Sequence, residues 1–205
     1  MMNSPEENRR KQKESLFRAA GGYRNLKVYR LATLIYDVTV LFTERYIPSN
    51  SRTRDQMVQA ARSGKQNICE GSIDAATSAK LELNLYNVAW GSLEELKADY
   101  IDFLRQHCEE IWQKEDLFAQ RFIEARVLTR RQFRTFVEWA EEKLPPKPGR
   151  TLPSKSVIVA NATILLIHAS TFWLKRLIEE KAKTFLSEGG FSERMYRMRR
   201  STKSL

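Results

Sequence analysis

The stretch AKLELNLYNVAWGSLEELKADYIDFLRQ, residues 79–106, decides the fold. Tyr86, Ala89, Leu93, Leu96, Tyr100 and Phe103 recur in it at alternating steps of three and four, the mark of one apolar seam on a long helix. Beside that seam Ser92, Glu95, Asp99 and Asp102 follow the same steps, so the lower half of the helix carries an acidic, solvated face. In the upper half Leu81, Leu85 and Val88 continue this second line as apolar residues. A rod that is apolar on two sides at its top requires cover on both flanks, from other helices of a bundle or from a neighbouring subunit.

Upstream, Tyr23 to Tyr46 reads as a helix with Val28, Leu31, Ile35, Val38 and Phe42 on one line and Tyr29, Ala32, Tyr36 and Val40 on a second. Pro48 to Ser51 breaks it. A helix from about Thr53 to Ile73 follows, and its inward positions are slim: Met57, Ala60, Ala61, Gly64 and Ile68. Small residues permit close approach, so a tight antiparallel pairing with one of the longer rods is expected. Gly71 is read as the close of that helix, and Thr77 or Ser78 as the cap of the next.

Downstream the pattern degrades. Ile111 to Val127 reads as a short amphipathic segment, and Thr129 with Gln132 forms a capping-box signal for a helix ending near Leu144. Pro145, Pro146, Pro148, Gly149 and Pro153 make a stiff linker. The last long helix runs from Ser154 to about Leu186 on Val157, Ala160, Ile164, Ile167, Thr171, Leu174 and Ile178, until Gly189 and Gly190 stop it. The fold class expected is all-α: an up-down four-helix bundle with a helical insertion before the last long helix and a basic C-terminal tail. The expected divisions are a disordered leader at 1–22, three bundle helices at 23–106, the insertion and linker at 107–153, the fourth helix at 154–187 and the tail at 188–205.

A chain of 205 residues buries roughly 70% of its unfolded surface as one domain. Lys and Arg exceed Asp and Glu by 35 to 25, a net charge of +10, so a polyanion is the candidate partner. Two cysteines and a polar start without an apolar leader suggest the cytoplasm. The apolar run Val157 to Leu174 is interrupted by Asn161, Thr163, His168, Ser170 and Thr171 and reads as a buried helix, not a membrane span.

The candidate chemistry is sparse. Arg62-Ser63-Gly64-Lys65 lacks the first glycine of a phosphate loop and lies in mid-helix. Cys69, Cys108 and His107 show no metal-ligand spacing, and the acids of the central rod lack the Glu-x-x-His sets of a di-iron bundle. Asn161 and His168, seven residues apart, are either a ligand-reading pair or a hydrogen-bonded polar register in an apolar seam. Trp90, Trp112, Trp139 and Trp173 fall on apolar helix faces and read as core or interface, which leaves Tyr196 among the tail arginines as the one local cation-aromatic cluster. No catalytic residue, cofactor or metal site is expected.

Three blocks carry a family likeness: YRNLKVYRLATLIYDVT at 23–39, QMVQAARSGKQNICEGS at 56–72 and NLYNVAWGSLEELKADY at 84–100. They resemble the small bacterial four helix bundle proteins first noticed as reading frames in intervening sequences of 23S ribosomal RNA genes. The stretch 161–199, with LLIHAS and FLSEGGFSERMYRMR, looks like the C-terminal suffix of longer members, while the insertion at about 107–150 departs from the small ones. The family includes the accessory variability protein of diversity-generating retroelements. The resemblance thus implies a basic homopentamer that binds RNA or DNA together with a partner reverse transcriptase.

From charge and likeness together, the expected function is a non-enzymatic, homo-oligomeric nucleic-acid-binding accessory protein with no membrane partner; the alternative is an oligomeric adaptor that binds protein only. The residues expected to hold phosphates are Arg24, Lys27 and Arg30 on the first helix, Arg54, Arg62 and Lys65 on the second, and Arg194, Arg197, Arg199 and Arg200 in the tail. Arg54 and Lys65 stand eleven residues apart, three turns, and so point the same way.

Overall fold

A computed structural model describes residues 22–144, 149 and 154–203, apart from the side chains of 188, 194, 198 and 201–203. The leader expected before residue 22 and nearly all of the linker at 145–153 lie outside the described residues. The described residues are helical with no strand. A 3-10 turn (Gly22–Asn25) leads into α1 (Lys27–Tyr46), α2 (Arg52–Asp74), α3 (Ala79–Gln106), α4 (Leu117–Ala125), α5 (Arg130–Lys143), α6 (Ser154–Glu188) and α7 (Phe191–Lys203).

Several boundaries follow from local hydrogen bonding. The Leu26 N–H donates to the Tyr23 carbonyl at 2.9 Å, closing the 3-10 turn and delaying the first helix from Tyr23 to Lys27. The Ser78 hydroxyl accepts from the Leu81 N–H, which caps α3 where expected. The segment expected as one helix from Ile111 is helical only from Leu117. Ahead of it the Trp112 N–H donates to Asn161 Oδ1 and the Gln113 N–H to Asp116 Oδ2, so side chains satisfy donors that would otherwise wait for helical partners. Thr129 and Gln132 cap α5 as expected, with Gln132 Oε1 also accepting from the Leu128 N–H. Gly189, at φ +75°, ends α6 by donating to the Phe185 carbonyl. The C-terminal segment read as a tail is the helix α7.

Gly71 does not end its helix, because α2 continues to Asp74. Its missing side chain serves packing instead: a Cβ there would lie 2.8 Å from the Tyr86 ring, and one at Gly64 2.9 Å from Leu93. With Ser63 and Ser92 hydrogen-bonded at 2.9 Å, these pairs set α2 and α3 antiparallel and almost backbone to backbone. Across the interior the Tyr100 hydroxyl donates to Thr39 Oγ1 at 3.0 Å, and the Phe42 ring centres 4.9 Å from both Tyr100 and Phe103. Tyr86, Tyr100, Phe42, Leu31, Ile35 and Leu93 are fully buried, each contributing about 1.5–3 kcal/mol by leaving water.

The outer lines of α1 and α3 differ. On α1 Ala32 is buried and Tyr29 and Tyr36 are half-buried, so its second line is largely covered within the chain. On α3 Leu81 and Val88 remain 43% and 51% exposed.

The lower half of α6 is buried nearly all round, from Ser156 to Ile167. It packs against α1 and α3 on one side, and α4 and α5 cover the other. The insertion is therefore a lid over this helix, an excursion at one end of the long rods. Six of its rings pack together, with Phe136 central among Trp112, Phe122 and Trp139. By length and composition alone α6 is apolar enough to cross a membrane, but 67% of its apolar window is buried in protein.

Candidate nucleic-acid interface

The cations expected at the interface are distributed over three helices and the 3-10 turn. Arg24, Lys27, Arg30 and Arg62 are exposed, and Arg54 and Lys65 partly so. None of these six forms an ion pair among the described residues. Three of them lie over aromatic rings instead: Arg24 5.6 Å from the Tyr23 ring centre, Lys27 4.1 Å from Trp173 and Lys65 4.3 Å from Tyr36. A ring quadrupole holds a cation in place, contributing about 0.5–1 kcal/mol at an exposed site, yet cancels none of its charge. On α7, Arg197, Arg199 and Arg200 are exposed, with Arg200 5.9 Å from the Tyr196 ring, while the Arg194 side chain lies outside the described residues.

The structure does not gather these cations into one stripe. Lys27 and Tyr36 are nine residues apart, two and a half turns, so Lys27 and the Lys65 ammonium over Tyr36 occupy opposite flanks of α1. What joins Lys27 comes from α6. Around a hollow of about 440 Å³ stand Arg176 and Lys183 beside Glu179 and Glu180. The Trp173 ring has Lys27 on one contact and Arg176, at 5.5 Å, on another, and Arg176 also reaches Phe172 at 5.8 Å. Phe172 and Trp173 are 56% and 36% exposed. Exposed rings interleaved with cations are what a single-strand-binding surface uses. Of the four tryptophans read as core or interface, Trp112 and Trp139 pack on the core, and Trp90 and Trp173 are exposed on the single chain.

A second feature, which shares α1 and α6 with the first, involves residues that the sequence reading did not single out. Between α1, α5 and the start of α6 lies a cleft of about 890 Å³. Arg45, Arg130, Arg131, Arg134 and Lys155 line it, with Glu138 the one acid of its lining. Arg134 donates to Glu138 at 2.7 Å and Lys155 pairs with Glu141 at 3.0 Å. Hydrogen bonding to that carboxylate, followed by its charge, raises the Arg134 pKa further. Arg45, Arg130 and Arg131 have no such partner among the described residues. Val38, Leu41, Phe42, Tyr46 and Phe133 supply the apolar part of the wall. Lys27, at the hollow, and Arg45, at the cleft, are eighteen residues or five turns apart on α1 and so stand on one line of that helix, about 27 Å apart along its axis. The signal available in the sequence was TRRQFR at 129–134, three arginines within two turns, read only for its cap.

No protein-family profile matches the chain, and neither a curated protein nor a solved structure matches it. The site is therefore read from its own groups.

The lower half of α3 is acidic, with Glu94 paired to Lys97 and Asp102 to Arg105. Lys97 and Glu94 both act on His168, whose pKa is lowered first by burial and then by Lys97, against the opposing pull of Glu94. Asp99, expected to be solvated, is half-buried; burial, followed by the charges of Asp102 and Glu95, raises its pKa. Asn161 and His168 do not form a pair. The Asn161 amide is buried and bonds to the Trp112 N–H and the Glu110 carbonyl, a polar register holding the insertion to α6, whereas His168 is exposed. Buried Glu82 faces Lys181 at 2.9 Å, and burial together with that carboxylate raises the pKa of the neighbouring Tyr86 hydroxyl. No group of three His, Cys, Asp or Glu suited to a metal occurs among the described residues, and Cys69 and Cys108 are unbridged.

Proposed function

We propose that this chain is a non-enzymatic, cytoplasmic protein that binds RNA or DNA by its phosphates, as a homo-oligomer built on an up-down four-helix bundle. The observation that carries the reading is the absence of carboxylate partners, among the described residues, for Arg24, Lys27, Arg30, Arg54, Arg62 and Lys65 and for the cleft arginines Arg45, Arg130 and Arg131. An arginine tied to its own chain's carboxylate gains little from a phosphate; an unpaired one releases a counterion from the strand for each contact it makes. The bundle reading is supported by packing: α1 against α2, α2 against α3, α3 against α6 and α6 against α1.

Self-association is supported by the line Leu81, Leu85 and Val88 on α3, of which Leu81 and Val88 are exposed and Leu85 is half-buried. The same line favours a second reading, an oligomeric adaptor that binds protein only. For the number of copies and the protein partner, the family resemblance implies a pentamer and a reverse transcriptase.

Titration of fluorescein-labelled single- and double-stranded RNA and DNA between 50 and 200 mM salt tests the proposal. Binding is expected to weaken linearly in log-log form, with a slope of about 0.7–0.9 per phosphate contact. Absence of binding at low salt, or binding indifferent to salt, overturns it and leaves the adaptor. Light scattering tests the oligomer, and a monomer at micromolar concentration removes that part of the proposal.

A further inference from the structure

We infer that the cleft between α1, α5 and α6 is a seat for an unpaired nucleotide, so that the protein grips single strands and not duplexes there. The inference rests on the nucleic-acid reading above and adds to it the place and the strandedness. Three features converge. Arg45 comes from α1 and Arg130 and Arg131 from α5, so unpaired positive charge faces the opening from two helices. Between them the wall is apolar, with Leu41 36% exposed and Tyr46 half-buried. The volume, about 890 Å³, falls within the roughly 300–1,000 Å³ of sites that enclose small organic ligands.

A phosphate needs the arginines, whose planar forks match its oxygens. An apolar face between those forks suits a base, since every base has a flat surface to lay against a side chain. A duplex presents phosphates to the arginines but keeps its bases stacked inside, so it reaches the rim and leaves Leu41 and Tyr46 untouched. A single strand satisfies both. The remaining cleft cations, Arg134 and Lys155, are engaged by Glu138 and Glu141 and frame the seat instead of binding in it.

The test uses the full chain and labelled 12-residue oligonucleotides, single-stranded and duplex, with two triple variants of equal charge loss. Arg45→Gln/Arg130→Gln/Arg131→Gln alters only exposed side chains, so the fold is retained. It is expected to weaken single-strand binding at least tenfold and to lower the salt slope by about 2, with duplex binding changed less than threefold. Arg54→Gln/Arg62→Gln/Lys65→Gln is expected to weaken both forms alike. Leu41→Asn, which alters no charge, is expected to weaken single-strand binding about threefold at unchanged salt slope. If the wild type binds but both triples act alike on single strand and duplex, or Leu41→Asn has no effect, the seat is wrong while the nucleic-acid reading stands. If the wild type binds no nucleic acid, both fall.

Discussion

Along α2 and α3 the backbones meet through Gly64 and Gly71, whereas the insertion lies on α6 with a cluster of six rings and is bonded to it by one buried amide. The first contact is close because nothing stands between the rods. Ser63 and Ser92 join directly, and the Leu93 and Tyr86 side chains fill the space that a Cβ would need. The second contact is made by short helices with bulky residues, and such pieces fill their centre but not their margins. Beside the ring cluster lies the 890 Å³ cleft. Close packing of small residues yields a rigid joint; large residues on short helices yield a cover and, at its edge, a concavity lined by whatever charges the short helix carries.

Breaking the rigid joint is expected to have the largest effect. Gly71→Val puts branched carbon into the Tyr86 ring and toward the Glu82 carbonyl, so the unfolding free energy is expected to fall by about 3 kcal/mol and Tm by about 6–12 °C in a thermal melt. A loss below 1 kcal/mol would show that the helices can part without cost and remove the contrast. Next is the cover. Asn161→Ala leaves the Trp112 N–H and the Glu110 carbonyl without their partner, costing about 2 kcal/mol. Hydrogen exchange is expected to quicken first over 117–143, with α2 and α3 still protected; uniform quickening would mean that cover and joint open as one unit.

A smaller effect lies between the two regions. Tyr100→Phe removes the hydrogen bond to Thr39 in the centre of the core and is expected to cost about 1 kcal/mol in chemical denaturation, with the m-value unchanged. The smallest concerns the half-buried Asp99 on α3. Its folded pKa is raised above the ordinary 3.8, so the folded state holds the proton longer than the unfolded one. Stability therefore falls as pH rises from 3.8 through the folded pKa, and the penalty is complete above it. Asp99→Asn is expected to add a few tenths of a kcal/mol at pH 7 and nothing at pH 3, because solvent screens a half-exposed carboxylate. An equal gain at both pH values would assign the effect to something other than charge.

The sequence was most informative where a single helix carries its own pattern. The periodicity of Tyr86 to Phe103 and the capping residues Ser78 and Thr129 placed α3 and α5 closely, since a seam and a cap are local properties. Gly71 was misread for the converse reason. Glycine commonly follows a helix end, and only Tyr86, on the next helix, reveals that it accommodates a ring. The cleft lay outside such a reading because Arg45, Arg130 and Lys155 are separated by 85 and 25 residues and meet only when three helices close. Trp173, read as core or interface from its face, is 36% exposed, because α6 is covered only as far as the insertion and its neighbours reach. Above that level the same face is open, and its ring holds Lys27.

The order of the elements along the chain has a bearing on synthesis. α6 is the wall that α1 and α3 share, yet it follows the whole excursion, so 82 residues separate the last residue of α3, 106, from the last of α6, 188. At about 5–20 residues per second, a ribosome needs roughly 4–16 s to supply them. Throughout that interval the faces of α1 and α3 that α6 covers in the folded protein lack that cover, so the four-walled core closes only once α6 has been made.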